Sequence, residues 1–167
     1  MNDSTDKQDA KHIASNAFME GEILFRQIHP MHIDNGDVGS IAFRPQPKDE
    51  NNLSVDRGSL TSASDAYERF VMRGFVSECC YGVSVAECME VELTPKADPI
   101  EPKDEDIGNP YHAVIDFLGV NNSQQKKKSK SLRDSAVARG VLHPLVTSPV
   151  SPPCASSSPP DRADPPA

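Results

Sequence analysis

The segment YHAVIDFLGV, residues 111–120, is almost continuously apolar. A strand inside a sheet has this character when both of its faces are covered, whereas a strand with one solvated face alternates apolar and polar residues. The segment therefore predicts a central strand. The rest of the chain must supply the strands that flank it and the helices that cover it.

Other segments predict further strands and the loops between them. EILFRQI, residues 22–28, is mostly apolar with one Arg, FVSECCYGVSV, residues 75–85, has the character of a buried strand, and SIAFR, residues 40–44, predicts a short strand. PQPKDENN, residues 45–52, is a proline-bounded loop that cannot lie in a central strand. TPKADPIEPKDEDIGNP, residues 94–110, is typical of an acidic, proline-rich surface loop.

Capping residues predict two helices before residue 91. Ser62 stands three residues before Asp65, which is close to a capping box, and the following stretch AYERFVMRG has an apolar stripe and a terminal glycine. Ser84 and Glu87 form a full capping-box pattern, which predicts a short helix at about 85–90.

A basic helix is predicted at the C-terminal side of the domain. The segment QQKKKSKSLRDSAVARG predicts a helix over about 124–140. Lysines in a first helical turn oppose the helix dipole, so the helix could instead begin near Ser131 behind a flexible lysine-rich lead-in.

These elements predict one small α+β domain over residues 12–143, with a short mixed or antiparallel sheet packed by two to four helices. Residues 1–11 are polar and predict a disordered leader. Residues 144–167 hold eight prolines among serines and alanines, a composition that cannot form a packed core. We therefore expect a disordered tail there.

The charge distribution limits the classes of partner. The chain has a net charge of −8, and residues 1–120 hold 10 Lys/Arg against 22 Asp/Glu, whereas residues 121–145 hold six basic residues and one acidic residue. An acidic body argues against a broad phosphate-binding surface. Nucleic acid is therefore expected to bind, if at all, only through the basic segment 126–133.

The first residues, MNDSTDKQDAKHIASNAF, have no apolar core of the signal-peptide kind, and no stretch approaches the length of a membrane span. We expect a cytoplasmic protein with no membrane partner, and four cysteines that are free thiols.

Four motifs together resemble an uncharacterised family of small bacterial proteins. They are FRQIHP with the later AFRP, YGVSVAEC, NPYHAVIDF and LRDSAVARG, and they span about residues 22–143. The resemblance implies a single domain in a bacterial, cytoplasmic setting. It implies no activity and assigns no catalytic residue.

The candidate catalytic residues form two overlapping groups. In the first, Arg26, His29, His112 and Asp116 would line a cleft. A cation such as Arg26 could hold a pyrophosphate, and a carboxylate such as Asp116 could stabilise an oxocarbenium-like centre, as ADP-ribosyl transfer or NAD turnover requires. No glycine-rich phosphate loop accompanies these residues.

The second group joins Cys88 to His112 and Asp116. Cys88 falls within the short helix that Ser84 caps, where the amide dipoles can lower the pKa of a thiol, and a nearby imidazole could then form a thiolate pair. A buried cysteine acting as a small apolar side chain is the commoner arrangement.

We expect neither a metal nor a cofactor. His29 and His32 are three residues apart, but Pro30 between them argues against a regular helix that presents both side chains on one face. The spacing of the cysteines contains no CxxC motif.

The candidate binding residues favour a protein partner, because arginine and aromatic side chains on a proline-ordered loop are common interface anchors. They lie in the loops of residues 25–57 and in the basic segment: Phe43, Arg44, Lys48, Arg57, Lys126, Lys127, Lys128 and Arg133. The sequence thus favours an interaction or accessory protein of a multi-component system, with a small enzyme as the alternative.

Overall fold

The structure is a computed structural model that describes residues 17–144. The predicted leader at residues 1–11, the first residues of the predicted domain and residues 145–167 of the predicted tail lie outside the described residues.

Five antiparallel strands form the main sheet, and a separate two-stranded ribbon contains β2 (Ile33–Asp34) and β3 (Asp37–Val38). The main-sheet strands are β1 (Ile23–Ile28), β4 (Asn52–Arg57), β5 (Cys79–Ser84), β6 (Thr94–Ala97) and β7 (His112–Asp116). Their order across the sheet is β5-β1-β4-β7-β6. The prediction of an α+β fold with a small sheet is confirmed.

Three α-helices accompany the sheet within residues 17–144. They are α1 (Ala63–Met72), α2 (Val85–Glu90) and α3 (Asn122–Arg139), and short 3-10 turns cover Pro30–His32, Ser40–Phe43 and Pro47–Asp49. Ser62 accepts a hydrogen bond from the backbone N–H of Asp65, and Ser84 and Glu87 cap each other reciprocally. The predicted starts of α1 and α2 are therefore confirmed.

The sheet has two differently covered faces, because side chains alternate along each strand. The α3 face carries Leu24, Leu53 and Ile115 and packs against α2, α3 and the Ser40–Phe43 turn to form the main core. The α1 face carries Phe25 and Cys80, which pack against Ala66 of α1. It is the more polar face, since Gln27 and Asp56 are also buried on it.

Strand β7 is an interior strand with β4 and β6 as its neighbours. Ala113, Val114 and Ile115 are all buried although they alternate between the two faces. The prediction of a strand covered on both faces is confirmed for these three residues.

Helix α3 includes the lysine-rich segment, so the alternative start near Ser131 is wrong. Asn121 caps the helix by accepting a hydrogen bond from the backbone N–H of Gln124. Ser129, Leu132 and Ala136 are buried along its inner side. This burial, together with the Asn121 cap, outweighs the unfavourable position of the lysines near the helix N-terminus.

Two segments differ from the predictions. SIAFR forms a 3-10 turn instead of a strand, because Ala42 and Phe43 turn into the main core and the guanidinium Nε of Arg26 donates to the carbonyl of Ala42 at 2.8 Å. Residues 94–97, predicted as loop, form the edge strand β6. Pro95 is tolerated there because an edge strand has one side without ladder partners.

A buried ion pair connects the start of β1 to the end of β4. The Arg57 guanidinium donates to both carboxylate oxygens of Glu22, at 3.0 and 2.9 Å, and the hydroxyl of Ser59 donates to the same carboxylate at 2.7 Å. The ring of Phe18 lies 4.0 Å from the guanidinium carbon. Burial raises the pKa of Glu22, but the bonds from Arg57 and Ser59 outweigh it, so that this pKa is lowered.

We expect Glu22→Gln to lower the free energy of unfolding at pH 7 by roughly 3 kcal/mol, because it removes one charge of a buried pair. Since the folded-state pKa of Glu22 lies below 4.5, the stabilisation is complete above that pH and is lost as the pH falls through the lowered value. The difference from the wild type should therefore narrow below pH 4.5. Urea unfolding followed by circular dichroism measures it.

The matched control is Glu20→Gln, because Glu20 is an exposed glutamate two residues away. Equal losses of stability in both variants would contradict the role given to the buried pair.

Candidate functional site

The predicted Arg/His cleft is not formed, because its members lie on opposite faces of the sheet. Arg26 shares the α3 face with its cross-strand partner Tyr81, and its guanidinium donates to the carbonyls of Ala42 and Ser54. His112 pairs across strands with Asp56 on the α1 face, and Asp116 lies on that same face at the other end of β7. Burial lowers the pKa of Arg26 to about 10, so Arg26 remains cationic at neutral pH and holds the Ser40–Phe43 turn.

His29 and His32 belong to a turn. The ring Nδ1 of His29 accepts a hydrogen bond from the backbone N–H of Met31 at 3.1 Å and so caps the Pro30–His32 turn. Burial lowers the pKa of His32, and the positive charges of Arg26 and His29 lower it further. Across residues 17–144, no three His, Cys, Asp or Glu side chains are placed to hold a metal ion.

Asp116 is engaged at the edge of the sheet. It forms an ion pair with Lys96 of β6 and accepts a hydrogen bond from the backbone N–H of Leu118. The bond from Lys96 and then that from Leu118 lower the pKa of Asp116. These contacts hold the end of β7 to the turn that follows it. Within the described residues, no imidazole is paired with Asp116.

The expectation of a reactive Cys88 is wrong for this structure. Cys88 is fully buried on the α3 face, opposite to the face of His112, and burial raises the pKa of its thiol to about 12. Cys80, on the α1 face, is equally buried and its pKa is also raised to about 12, first by burial and then by the charge of Asp56. Neither thiol supplies a thiolate at neutral pH.

Two of the candidate binding residues in the 25–57 region are buried. Phe43 is 0% exposed and belongs to the main core, and Arg57 is 3% exposed in the ion pair with Glu22. The prediction that they contact a partner is wrong, because the fold uses both side chains internally. Arg44 is half-buried and Lys48 is exposed, so these two can still reach a partner.

The basic residues of α3 differ in their availability. Lys126 and Lys127 are exposed. Lys128 instead donates to the carbonyl of Val91 at the end of α2, and Arg133 pairs with its neighbour Asp134 at 2.9 Å. The outward basic surface is therefore smaller than the sequence predicted.

A cleft of about 340 Å³ lies between α1 and the loop of residues 98–111. The sequence did not predict it. Its wall is partly apolar and partly charged, and the main lining residues are Leu60, Asp65, Glu68, Arg69, Met72 and Ile107.

An ion pair fixes the walls of this cleft relative to each other. The Arg73 guanidinium at the end of α1 donates to both carboxylate oxygens of Asp106 in the loop, at 2.8 and 2.9 Å. Asp106 also accepts from the backbone N–H of Gly108 at 2.9 Å. The bond from Arg73, followed by that from Gly108, lowers the pKa of Asp106 to about 2. The pair is therefore charged throughout the physiological pH range.

The loop turns sharply where it meets the cleft. Gly108 has φ +68°, and a Cβ atom there would lie 2.5 Å from the carbonyl oxygen of Ile100, so only glycine fits. Arg69 of α1 lies over the ring of Tyr111, with 5.4 Å between the guanidinium carbon and the ring centroid. Helix and loop thus meet through arginine side chains on both sides of the turn.

A buried carboxylate lies beneath the loop. Asp56 of β4 is 5% exposed and accepts a hydrogen bond from the side-chain amide of Asn109 at 2.5 Å. Burial raises the pKa of Asp56, and the bond from Asn109 together with the charges of His112, Arg73 and Arg69 only partly opposes this rise. The Nδ1 atom of His112 is 2.7 Å from the carbonyl oxygen of Asp98, so the polar layer anchors both ends of the loop.

No family model, no curated protein and no solved structure matches this chain. Among residues 17–144, no helix has the length and apolar character needed to cross a membrane.

We expect Cys80 and Cys88 to react with a thiol reagent roughly 100-fold more slowly in the folded protein than in urea, because both are buried with raised pKa values. The measurement uses a Cys154→Ser variant, and mass spectrometry of peptides identifies the modified cysteine. Rapid modification of Cys88 in the folded protein would restore the hypothesis of thiol chemistry.

We expect Asp56→Asn to remove the part of the pH dependence of unfolding free energy that comes from the raised pKa of Asp56. A carboxyl whose folded-state pKa is raised binds its proton more tightly when folded, so its contribution falls as the pH rises from 3.8 through the raised value. The variant should lack this decrease and retain a hydrogen bond to Asn109. Thermal unfolding across this pH range, compared with the exposed control Asp104→Asn, measures the effect. An unchanged pH profile would contradict the assignment.

Proposed function

We propose that this chain is an interaction or accessory protein that binds a protein partner through the cleft between α1 and the 98–111 loop. The observation that carries the proposal is the exposure of apolar side chains around a cleft whose walls are already fixed. Met72 is 72% exposed and Ile107 is 40% exposed, and both line the cleft together with the partly exposed Leu60.

The apolar part of the cleft favours a partner that inserts an apolar side chain. Large apolar side chains grouped around a depression mark interaction sites more often than scattered ones do. Phe75, three residues after the end of α1, is 48% exposed, and its ring lies 5.3 Å from the guanidinium carbon of Arg73, which binds the loop. Burial of Met72 and Ile107 against a partner would remove apolar area from water and so contribute to affinity.

The charges around the cleft favour basic residues beside that apolar anchor. Asp65 and Glu68 line the cleft, and exposed acidic residues follow along the loop at Glu101, Asp104 and Glu105. Complementary charges raise the association rate and discriminate against wrong partners. The partner that suits this surface therefore carries an apolar side chain flanked by Lys or Arg.

The rigidity of the cleft supports binding without a large ordering cost. The two-bond Arg73–Asp106 pair holds the loop against α1 before any partner arrives. A preformed site spends less free energy on ordering side chains and loops than a mobile one.

Further contacts could come from Arg44, Lys48, Lys126 and Lys127, of which the last three are exposed. A nucleic acid would be bound only through the basic segment 126–133, and it is the less favoured partner because that segment presents few outward lysines. The bacterial and cytoplasmic setting belongs to the proposal and is supported by the resemblance described above. The enzyme alternative has no comparable support, since Arg26 and His112 lie on opposite faces of the sheet.

We expect the double variant Met72→Asp/Ile107→Asp to lose a partner that the wild type retains after cross-linking in a bacterial lysate. Binding should fall at least about 10-fold, since two apolar contacts are replaced by charges. Quantitative mass spectrometry of the captured proteins measures the change.

The matched control is Met89→Asp, because Met89 is a comparably exposed methionine on α2, away from the cleft. A second variant, His29→Ala/Arg44→Ala, tests the 25–57 loops. A partner lost equally with Met89→Asp, or lost only with His29→Ala/Arg44→Ala, would move the site away from the cleft.

A further inference from the structure

We propose that residues 145–150 of this chain dock in cis on the flank of α1 formed by Tyr67, Val71 and the neighbouring Val76. This flank lies on a different side of α1 from the cleft, because at about 100° per residue Tyr67 is about 160° around the helix from the cleft residue Arg69 and about 140° from Met72. The proposal is independent of the partner proposed for the cleft.

The described chain already begins to follow the outer edge of β5. The backbone N–H of Leu142 donates to the carbonyl of Cys80 at 2.8 Å, and the N–H of Cys80 donates to the carbonyl of His143 at 2.6 Å. This bridge is antiparallel, and before it the guanidinium of Arg139 donates to the carbonyl of Gly82. The chain therefore runs along β5 from Gly82 toward the residues that precede the strand.

The last described residues lie against α1. The ring of His143 is 4.8 Å from the ring of Tyr67, and Leu142 packs with Phe25 and Ala66. The described chain therefore ends beside Tyr67, so the segment that follows is tethered to this flank at a high effective concentration.

The flank itself exposes apolar surface. Val71 is one helical turn after Tyr67 on the same side of α1, and Val71 and Val76 are both largely exposed. The hydroxyl of Tyr67 donates to the carbonyl of Ser77, the residue after Val76, at 3.1 Å. Tyr67 contacts the last described residues and Val71 follows it by one helical turn, so these side chains and Val76 define the strip on which we propose the segment docks.

The segment that follows Pro144 matches this strip in chemistry and in length. Residues 145–150, LVTSPV, carry no charge and contain three apolar side chains and a proline. Proline-containing segments bind apolar and aromatic surfaces at a low entropic cost because they are already extended. Six residues reach about 19 Å at roughly 3.1 Å each, which exceeds the length of about 15 Å of the ten-residue helix α1.

The test attaches a nitroxide to Cys154, four residues after the docked segment, and measures paramagnetic broadening of backbone amide signals in the full-length protein. Labelling uses a Cys79→Ser background, since Cys80 and Cys88 are fully buried, and mass spectrometry verifies that the nitroxide is on Cys154. We expect the signals of Val71 and Val76 to lose about half of their intensity or more, as docking at a high effective concentration requires. The signal of Lys96 on β6, at the edge of the sheet opposite to β5, serves as the unaffected reference.

Two further samples make every outcome decisive. In Leu145→Asp/Val146→Asp, which leaves residues 17–144 unchanged, the broadening should disappear while the amide spectrum of the domain stays the same. In a mixture of isotope-labelled protein with separate spin-labelled copies, no broadening should occur. Broadening in that mixture would assign the strip to a second copy, and no selective broadening in any sample would also overturn the proposal.

Discussion

Two neighbouring buried charges at the end of β4 hold together the segments on both faces of the sheet. Asp56 and Arg57 are consecutive, so they point to opposite faces. Arg57 binds Glu22 in the segment that precedes β1, and Asp56 binds Asn109 in the 98–111 loop. The central strand thus anchors one peripheral segment on each side, and the loop that forms one wall of the cleft is attached to the middle of the sheet.

The loop that forms one wall of the cleft is bonded both to the sheet and to α1. The loop is held at Asp56 through Asn109 and at α1 through the Arg73–Asp106 pair. One contact is buried and has a carboxyl whose pKa is raised, whereas the other is partly exposed and has a carboxyl whose pKa is lowered to about 2. The loop therefore keeps its attachment to Arg73 at any ordinary pH, whereas its attachment to Asp56 is sensitive to protonation.

The local elements could be predicted from the sequence, but their contacts could not. Ser62 and Ser84 predict the starts of α1 and α2, because a capping side chain bonds to backbone groups within its own helical turn. The sequence predicts Phe43 as an interface anchor because it is an aromatic residue on a proline-ordered loop, and its burial depends on the distant Arg26, which binds the turn that contains it. Likewise Met72 and Ile107 belong to segments far apart in sequence, and the antiparallel pairing of β4 with β7 brings them together.

The edges of the main sheet have a consequence for how this protein meets other molecules. On the β6 side, Pro95 lacks a backbone donor and Lys96 carries a charge, and on the β5 side the chain itself bonds to Cys80. An additional strand from another molecule would find few unpaired backbone groups in register at either edge. Crowded copies of the protein are consequently protected from joining edge to edge through the main sheet into extended ribbons.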